Sequence, residues 1–309
     1  MLKSKRTINK AQIKYKYMIF FCVLILIIIF HYFLSFLHNK KINNYYQKRV
    51  KYLNSLHKNY NESNLITLGD KINWLIIHDT NLLKGKCADK ILLHYYSKRK
   101  LGKDICNKII KIYHSEKEID INELPNQFVL KANHGSGFNI IVEDKNKFNL
   151  KKAKNILKKW MKIDYGVKLA EFHYSFINKK IFVEEFIGKT LKNYKFLCYN
   201  GKPKYVYVSI KEGKNKYRNF YNMNWKFIPF HCLSKPHPKY HYPKPKLFKL
   251  MKKYAIILSK DFKFVRVDLY ELENEIRLGE LTFTPMGGSF FLCKNKKEEI
   301  ELGKDLIIN

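Results

Sequence analysis

The sequence predicts an α+β body that follows one N-terminal transmembrane helix. Residues 18–37 form a run of 20 positions without Lys, Arg, Asp or Glu, long enough to cross a bilayer as a helix. From about residue 65, segments with apolar residues at helical spacing alternate with short strand-like segments. The 309 residues suffice for one large domain, or two lobes sharing a cleft, in addition to this anchor.

These patterns divide the chain into four parts. We predict a basic N-terminal tail at 1–17, the transmembrane helix at 18–37, a polar spacer at 38–64 and the globular domain at 65–309. The apolar run is longer than that of a typical signal peptide and no small-residue cleavage site follows it, which favours a retained anchor. Six basic residues precede the run and five follow it closely, so the positive-inside rule favours neither orientation.

The net charge of +34 does not by itself indicate nucleic-acid recognition. Of the 60 basic residues only six are arginine, the residue that supplies bidentate contacts to bases and phosphates. We therefore predict no sequence-specific nucleic-acid partner and keep attraction to an anionic membrane or glycan as an alternative. The six cysteines show no CxxC and no metal-ligand spacing, which favours reduced thiols over a disulfide framework.

The elements of the globular part can be predicted in order. Apolar residues at helical spacing predict three helices, at 82–100, 150–162 and 246–260. Strand-like segments lie at 107–114, 127–133, 138–143, 180–187, 193–199, 204–210, 263–270 and 275–283. The two glycines between the second and third of these strands predict a hairpin. Four prolines at 235–245 predict an extended loop.

The stretch FVLKANHGSGFNIIV, residues 128–142, places Lys131 in an otherwise apolar strand before a glycine-containing loop. Loop residues 134–137 offer backbone N–H groups that can close over phosphate oxygens, because glycine lets the backbone approach without a Cβ. Lys131 would then reach a phosphate as a point charge. The alternative is an ordinary glycine turn beside a lysine whose charged end extends to water.

The segment Val-Glu-Glu-Phe-Ile, 183–187, carries two adjacent carboxylates in an apolar strand. Successive strand side chains point to opposite faces, so one carboxylate must point inward and needs a partner. One interpretation is an internal salt bridge to a lysine. The other is a nucleotide hinge, in which the backbone of Glu185 and Ile187 pairs with an adenine edge and Glu184 lies nearby.

Two C-terminal strands carry the remaining candidate chemistry. Asp268 follows Arg266 by two residues, and Thr282 follows Glu280 by two, so each pair shares a face. If the strands are neighbours, the oxygens of Asp268, Glu280 and Thr282 suit Mg²⁺, and Arg266 would neutralise charge on a transferred phosphoryl group. The alternative is an Arg–Asp pair within a sheet. The rarity of arginine favours a functional role for Arg266 and also for Arg218.

In this order, these motifs resemble the ATP-grasp superfamily and, more closely, the TupA-like ATP-grasp family of the teichuronopeptide biosynthesis type. The similarity covers roughly 65–309. The blocks that carry it are GDKINWLIIHD (69–79), CADK (87–90), LPNQFVLKANHGSGFNIIV (124–142), VEEFI (183–187), NYKFLCYNGKPKYV (193–206), RNFYNMNW (218–225), FVRVDLY (264–270) and GELTFTP (279–285).

The resemblance implies two α+β lobes around an ATP cleft and ligation of a carboxylate to an amine through an acyl-phosphate. It implies ATP and Mg²⁺ as cofactors, with Arg266 and Lys131 as catalytic residues and Arg218 as a substrate contact. The implied metal site is Asp268, Glu280 and Thr282. The implied ATP contacts are Lys90, Lys131, His134, Gly135, Ser136, Gly137, Glu184, Glu185, Phe186, Ile187 and Lys195. Thr282 stands where many ATP-grasp enzymes carry Asn, as is common in this subfamily. The chain departs from the subfamily at Asn193 and His94, where Asp and Arg respectively are often found.

The leading hypothesis is a ligase that adds an amino acid to a sugar acid in cell-surface polysaccharide biosynthesis. Its partners would be the bilayer, through 18–37, and a glycan or amino-acid substrate. We expect a single-pass membrane protein with its catalytic domain in the cytoplasm, where ATP is found. One alternative is a membrane-tethered glycosyltransferase, although no DxD metal motif is present. The other is a non-catalytic polyanion-binding protein, which the presence of all the charged site candidates disfavours.

Overall fold

A computed structural model describes residues 2–56, 62–168, 171–188, 192–232, 234–239, 241–291 and 293–308. The chain divides into two compact units, one up to Lys48 and one from Arg49 onward. The globular unit therefore begins earlier than residue 65, the start that the sequence predicted. The reason is that Arg49 is itself buried in the globular unit, with 1% of its surface exposed.

Helix α1 spans Leu2–Leu56. The predicted tail is thus helical from residue 2, and the predicted spacer is helical up to residue 56 but not at 62–64; residues 1 and 57–61 lie outside the described residues. Within α1, Tyr15–Lys51 is long and apolar enough to cross a membrane, judged by length and composition. The side chains of the apolar run 18–37 are exposed. This helix contains the run that the sequence predicted to be a span.

The smaller sheet has four antiparallel strands in the order β1-β4-β2-β3. They are β1 (Ile109–Tyr113), β2 (Phe128–Ala132), β3 (Asn139–Val142) and β4 (Ile181–Glu185). Helix α5 (Leu150–Lys162) packs its Leu157 against Phe128 and Leu130 on one face of this sheet. Because strand side chains alternate, Lys131 points to the opposite face. The predicted hairpin of β2 and β3 is confirmed.

The larger sheet has six antiparallel strands in the order β10-β9-β5-β6-β7-β8. They are β5 (Asn193–Tyr199), β6 (Lys202–Glu212), β7 (Asn215–Asn222), β8 (Phe227–Ile228), β9 (Phe264–Glu271) and β10 (Ile276–Thr282). Helix α7 (Phe248–Ser259) covers one face, and α2 (Leu68–His78) and α8 (Lys296–Gly303) cover part of the other. The rest of that second face carries the polar residues of the candidate site.

The helix predicted at 82–100 is two helices, α3 (Leu83–Ala88) and α4 (Leu92–Leu101). The break comes at Asp89, whose carboxylate accepts hydrogen bonds from the N–H groups of Ile91 (2.8 Å) and Leu92 (3.3 Å). A side chain that caps the next helix in this way ends the one before it. A short helix, α6 (Tyr165–Lys168), follows α5.

The prediction of reduced cysteines was wrong for one pair, because Cys232 and Cys293 form a disulfide. The remaining cysteines are free thiols, namely Cys22, Cys87, Cys106 and Cys198. The bonded pair is separated by 61 residues and meets through an isolated β-bridge. Local spacing could not reveal it, since the contact depends on the tertiary fold.

We expect the purified, air-oxidised chain to contain this bond, so that Cys232 and Cys293 resist alkylation until a reductant is added. Loss of the bond should lower the free energy of unfolding by about 2–4 kcal/mol, because a long loop is no longer closed in the unfolded state. Peptide mass spectrometry identifies the pair, and urea unfolding of a Cys232→Ser/Cys293→Ser variant measures the effect, with Cys22→Ser as control. Alkylation of both cysteines without reductant would contradict the assignment.

Candidate active site

The two sheets meet at a cleft between β10 of the larger sheet and the segment that leads into β1. Leu278 donates its backbone N–H to the carbonyl of Ile105 at 2.8 Å, and Cys106 forms an isolated bridge with Leu278. A small cavity of about 20 Å³ lies here. Its lining includes side chains from both sheets, among them Lys90, Asn107, Lys131, Glu184 and Leu278.

An ionic cluster lies on the site face of β9 and β10, which are neighbours as the sequence required. Arg266 donates Nε to Asp268 Oδ1 (2.6 Å) and Nη2 to Asp268 Oδ2 (2.7 Å), and the same Nη2 contacts Glu280 and Thr282 Oγ1 (3.0 Å). Lys195 of β5, paired in register with Asp268, donates to Asp268 Oδ2, which also accepts from Arg266 Nη2. Asp268 has no exposed surface. The predicted in-sheet Arg–Asp pair is present, and it is part of a larger cluster.

A β-bulge at Gly279 places Glu280 in this cluster. The register of β10 against β9 shifts by one residue between Leu278 and Glu280. Leu278 therefore points into the core while Glu280 faces the site, although simple alternation would put both on one face. Glycine fits because a Cβ there would lie 2.5 Å from the Tyr270 ring. The bulge decides which face the acid occupies.

The charges of the cluster control how its members ionise. Burial opposes ionisation of Glu280, but Arg266, Lys195 and Lys90 together hold the pKa of Glu280 well below its usual range. Burial lowers the pKa of Lys90, and the charge of Glu280 opposes this most strongly. Burial also lowers the pKa of Lys195, reinforced by Arg266 and opposed by Asp268. Glu280 is therefore a permanent anion at neutral pH.

On the facing sheet, Lys131 and Glu184 form an ion pair on the side of β2 and β4 that points away from α5. Asn107 also donates to Glu184, at 3.0 Å. The salt-bridge interpretation of Glu184 is thus observed, with the predicted phosphate lysine as the partner. Lys90 donates to the carbonyl of Gly135 and lies within electrostatic reach of Lys131, Glu184 and Glu280.

The loop 134–137 meets only part of its prediction. The His134 side chain is buried, donates Nε2–H to the Trp160 carbonyl (3.1 Å) and has its pKa lowered by burial to about 4. It therefore points toward α5, which leaves only its backbone for phosphate. Gly135 is needed because a Cβ would lie within 3 Å of the Phe138 and Tyr165 rings. In the same loop, Gly137 has a left-handed φ of 76°.

The predicted adenine hinge, 184–187, consists of the last two residues of β4 and the two residues that follow. The Glu185 N–H donates to the Lys108 carbonyl at 2.9 Å, and its carboxylate accepts from the Lys108 N–H at 2.8 Å. The Glu185 N–H is thus used by strand pairing, so an adenine edge would meet the Glu185 carbonyl and the Ile187 N–H instead. Phe186 and Ile187 are half-buried.

Arg218 lies on β7, on the same face of the larger sheet as Lys195 and Tyr207. Its Nη1 donates to Ser234 Oγ at 3.4 Å. Burial lowers the pKa of Arg218, opposed by Tyr207 and reinforced by Arg266. The two arginines therefore act on the same region of the sheet face.

Sequence reasoning missed three residues near the ionic cluster, the buried Glu171 and the half-buried Tyr165 and Tyr174. Tyr165 forms a hydrogen bond with Ser136, and burial raises its pKa, reinforced by Glu171. Tyr174 is close enough to Glu171, Glu280 and Arg266 for their charges to act on its pKa, which burial raises well above its usual range. Glu171 accepts a hydrogen bond from Thr284. The one local signal in the sequence is that Glu171 directly precedes a segment rich in aromatic residues, 172–176.

A sequence profile of the TupA-like ATP-grasp family matches residues 70–307. Among solved structures, the chain is similar to the D-alanine–D-alanine ligase from Bacillus anthracis complexed with ATP (15% identity, TM-score 0.42, 64% of this chain and 55% of that one). It is also similar to the Helicobacter pylori D-alanine–D-alanine ligase (18%, 0.39, 72% and 58%). The chain spans little more than half the length of these ligases. A search of curated proteins finds no match.

The profile covers most of the chain, which shows its class and its family. The fold is the ATP-grasp fold, with the two sheets and their helices as its two α+β lobes. The chain belongs to the TupA-like ATP-grasp family. The resemblance drawn from the sequence motifs is confirmed.

Glu171 should make stability fall as the pH rises. Burial raises its pKa to about 7, whereas the pKa of a Glu in the unfolded chain is about 4.3. Between these values only the folded state keeps the proton, so stability is progressively lost up to about pH 7. We expect the free energy of unfolding of Glu171→Gln, taken relative to wild type, to be higher at pH 8 than at pH 5 by about 2–3 kcal/mol.

Urea unfolding at both pH values measures this difference. Glu301→Gln, at an acid that is paired with Lys304 and exposed, is the control. Equal effects of Glu171→Gln at pH 5 and pH 8 would show that Glu171 is ionised throughout.

Proposed function

We propose that the chain is an ATP-dependent carboxylate–amine ligase that adds an amino acid to a sugar acid during cell-surface polysaccharide biosynthesis. Membership of the TupA-like ATP-grasp family supports ATP-dependent ligation. The choice of substrates follows the resemblance to teichuronopeptide biosynthesis proteins.

The observation that carries this proposal is the position of Lys90. Its charge interacts with Glu280 of the larger sheet and with Lys131 and Glu184 of the smaller one. Three cations and two acids from separate segments thus surround one cleft, counting Arg266 beside Glu280. A cleft of this composition suits a triphosphate, whose charge needs several fixed cations.

The residues of the ionic cluster fit Mg²⁺. Asp268 and Glu280 both contact the same nitrogen of Arg266, so their oxygens converge on one point. Carboxylates are the ligands that Mg²⁺ prefers, completed by water and phosphate. Asp268 and Glu280 would hold the ion, with Thr282 beside them donating to Glu280 at 3.1 Å. Bound Mg²⁺ would neutralise charge on the phosphate oxygens.

The chain's own residues would position the reacting groups. A carboxylate oxygen of the acid attacks the γ-phosphorus of ATP, the bond to the bridging oxygen breaks, and ADP leaves. The amine nitrogen then attacks the acyl carbon, phosphate departs with the bonding electrons, and the amine loses a proton to water. Lys90, Lys131 and Arg266 compensate phosphate charge in this scheme, and Lys195 supports Asp268.

Arg218 would bind the carboxylate of the acid substrate. A guanidinium binds a carboxylate through two parallel hydrogen bonds, an arrangement that a lysine cannot reproduce. Arg218 shares its sheet face with Lys195 and is close enough to Arg266 for their charges to interact. This location supports its use next to the phosphoryl-transfer centre.

Residues 18–37 would anchor the chain in a bilayer, with the body on the cytosolic side where ATP is supplied. Cytosolic reductants would then keep Cys232 and Cys293 as thiols until the chain is extracted. The alkylation experiment described for this pair, performed on acid-quenched cells, should therefore label both. A bond already present in cells would place the body in an oxidising compartment and contradict this placement.

We expect Lys131→Ala, Asp268→Ala and Glu280→Ala each to lower ATP-dependent amide formation by at least about 100-fold, because each removes a charge that the transition state needs. ADP release and product mass are measured against a panel of uronic acids and amino acids. Lys204→Ala, which breaks an exposed pair with Asp305, should retain activity. Undiminished ATP turnover in all three variants would contradict the proposal. Turnover of sugar nucleotides instead of ATP would favour a glycosyltransferase.

Arg218→Lys should raise the KM for the acid at least about 10-fold and leave the KM for ATP within about twofold, because only the paired hydrogen bonds to the carboxylate are lost. Initial rates over both substrates measure this split. Arg99→Lys, at an exposed position of α4, is the matched control. An unchanged KM for the acid would remove Arg218 from the substrate site.

A further inference from the structure

Arg49, from the last part of α1, is almost completely buried in the globular unit, with 1% of its surface exposed. Its Nη2 donates to two acceptors, the side-chain carbonyl of Asn73 in α2 and the backbone carbonyl of Gly287. Gly287 belongs to the turn that follows β10, the strand that carries Glu280. An arginine from α1 thus contacts the segment next to the ionic cluster.

That turn, residues 286–288, has an unusual backbone. Met286, Gly287 and Gly288 have consecutive left-handed φ values of 49°, 62° and 83°. A side chain at such a φ is costly, so Met286 holds this conformation only because its surroundings fix it. Gly288 has no room for a side chain either, since a Cβ would lie 2.3 Å from Asn73 Oδ1.

Glu171 holds the turn from its other side. Its carboxylate accepts from the Thr284 hydroxyl and lies close to the Gly287 N–H, which donates to the Thr284 backbone carbonyl at 2.9 Å. Thr284 follows Thr282 of the site by two residues, and Tyr174 lies within electrostatic reach of Glu171, Glu280 and Arg266. Arg49 therefore holds the turn by the Gly287 carbonyl, and Glu171 holds it through Thr284, directly beside the cluster.

We propose that Arg49 is a positioning residue for the ligation step, which holds the left-handed turn 286–288 in place and thereby sets the end of β10 that carries Glu280 and Thr282. This inference rests on the proposed ligase function. Arg49 touches neither substrate, and it acts through Gly287.

The chemistry of Arg49 supports positioning over simple packing. Burying a guanidinium is costly, and an apolar side chain could fill this buried position at lower cost. The planar guanidinium instead reaches a side-chain and a backbone oxygen in different elements at once. The charge of Arg49 also acts on Glu171, which accepts the hydrogen bond from Thr284 on the other side of the turn.

A chain that begins after Arg49 lacks this contact, so the test uses the full chain in detergent. Arg49→Met removes the donors at similar length, Arg49→Lys keeps the charge without the fork, and Lys51→Met is a control at an exposed position of the same helix. Hydrogen exchange of the peptide containing Gly287 is measured with Mg·ADP present. Mg·ADP affinity and the kcat and KM of amide formation are measured in parallel.

We expect Arg49→Met to speed exchange of the Gly287 amide at least about 10-fold and to lower kcat at least about 10-fold, since small displacements near the reacting atoms are costly. Because the turn also sets Glu280 and Thr282 of the proposed metal site, Mg·ADP affinity should fall, but by a smaller factor than kcat. Arg49→Lys should be intermediate, and Lys51→Met should match wild type. If Arg49→Met does not fold, the Arg49→Lys intermediate carries the same prediction.

Unchanged exchange and unchanged kcat in both Arg49 variants would overturn this inference. A loss of Mg·ADP affinity equal to the loss of kcat would also overturn it, because Arg49 would then act on the whole fold. If the wild-type chain forms no amide, the proposed function fails, whereas the exchange of Gly287 with Mg·ADP still tests the contact made by Arg49.

Discussion

The structure depends most on the ionic cluster of Arg266, Asp268, Lys195 and Glu280, in which Arg266 and Asp268 are buried. Both oxygens of Asp268 contact cations, and none of its surface is exposed. Buried charges are tolerated only when they are paired, so the two acids and two cations require one another. Because the members come from β5, β9 and β10, this requirement also fixes how the three strands align. The proposed metal site and the register of the larger sheet thus share one cause.

The charged side chains of the candidate site pair with groups of the protein itself in this structure. Lys131 pairs with Glu184, Lys90 donates to Gly135, and Arg266 binds the acids that would ligate a metal. The cavity between them, about 20 Å³, is too small for a purine. Nucleotide binding would therefore exchange internal pairs for phosphate contacts and separate the two sheets locally. The free energy of nucleotide binding would then be the difference between a free state with internal ion pairs and a bound state with phosphate contacts.

Sequence patterns predicted the features that depend on neighbouring residues. Strand-like segments on either side of two glycines predicted the β2–β3 hairpin. The spacing of two residues placed Arg266 on the same face as Asp268 and predicted that it lies beside Glu280. Features that depend on distant contacts were missed. The bulge at Gly279 changes which residues face the site, and nothing local to Arg49 reveals that it reaches Gly287, 238 residues away.

The capping role of Asp89 was visible in principle, since Asp commonly begins a helix. It was missed because the apolar spacing from 82 to 100 continues across the break. The buried side chain of His134 was missed for a different reason. The position of His134 in a glycine-containing loop predicts which contacts its backbone can make. The direction of its side chain depends instead on α5, which comes later in the sequence.

The central claim is that Asp268 and Glu280, held together by Arg266, form a metal-dependent phosphate site in the cleft. A crystal structure of the chain with Mg²⁺ and a non-hydrolysable ATP analogue tests it most directly. We predict an ion at about 2.0–2.1 Å from oxygens of both carboxylates and of the terminal phosphates, with Lys131 released from Glu184. A nucleotide bound elsewhere, with Arg266 still bridging two metal-free carboxylates, would contradict it.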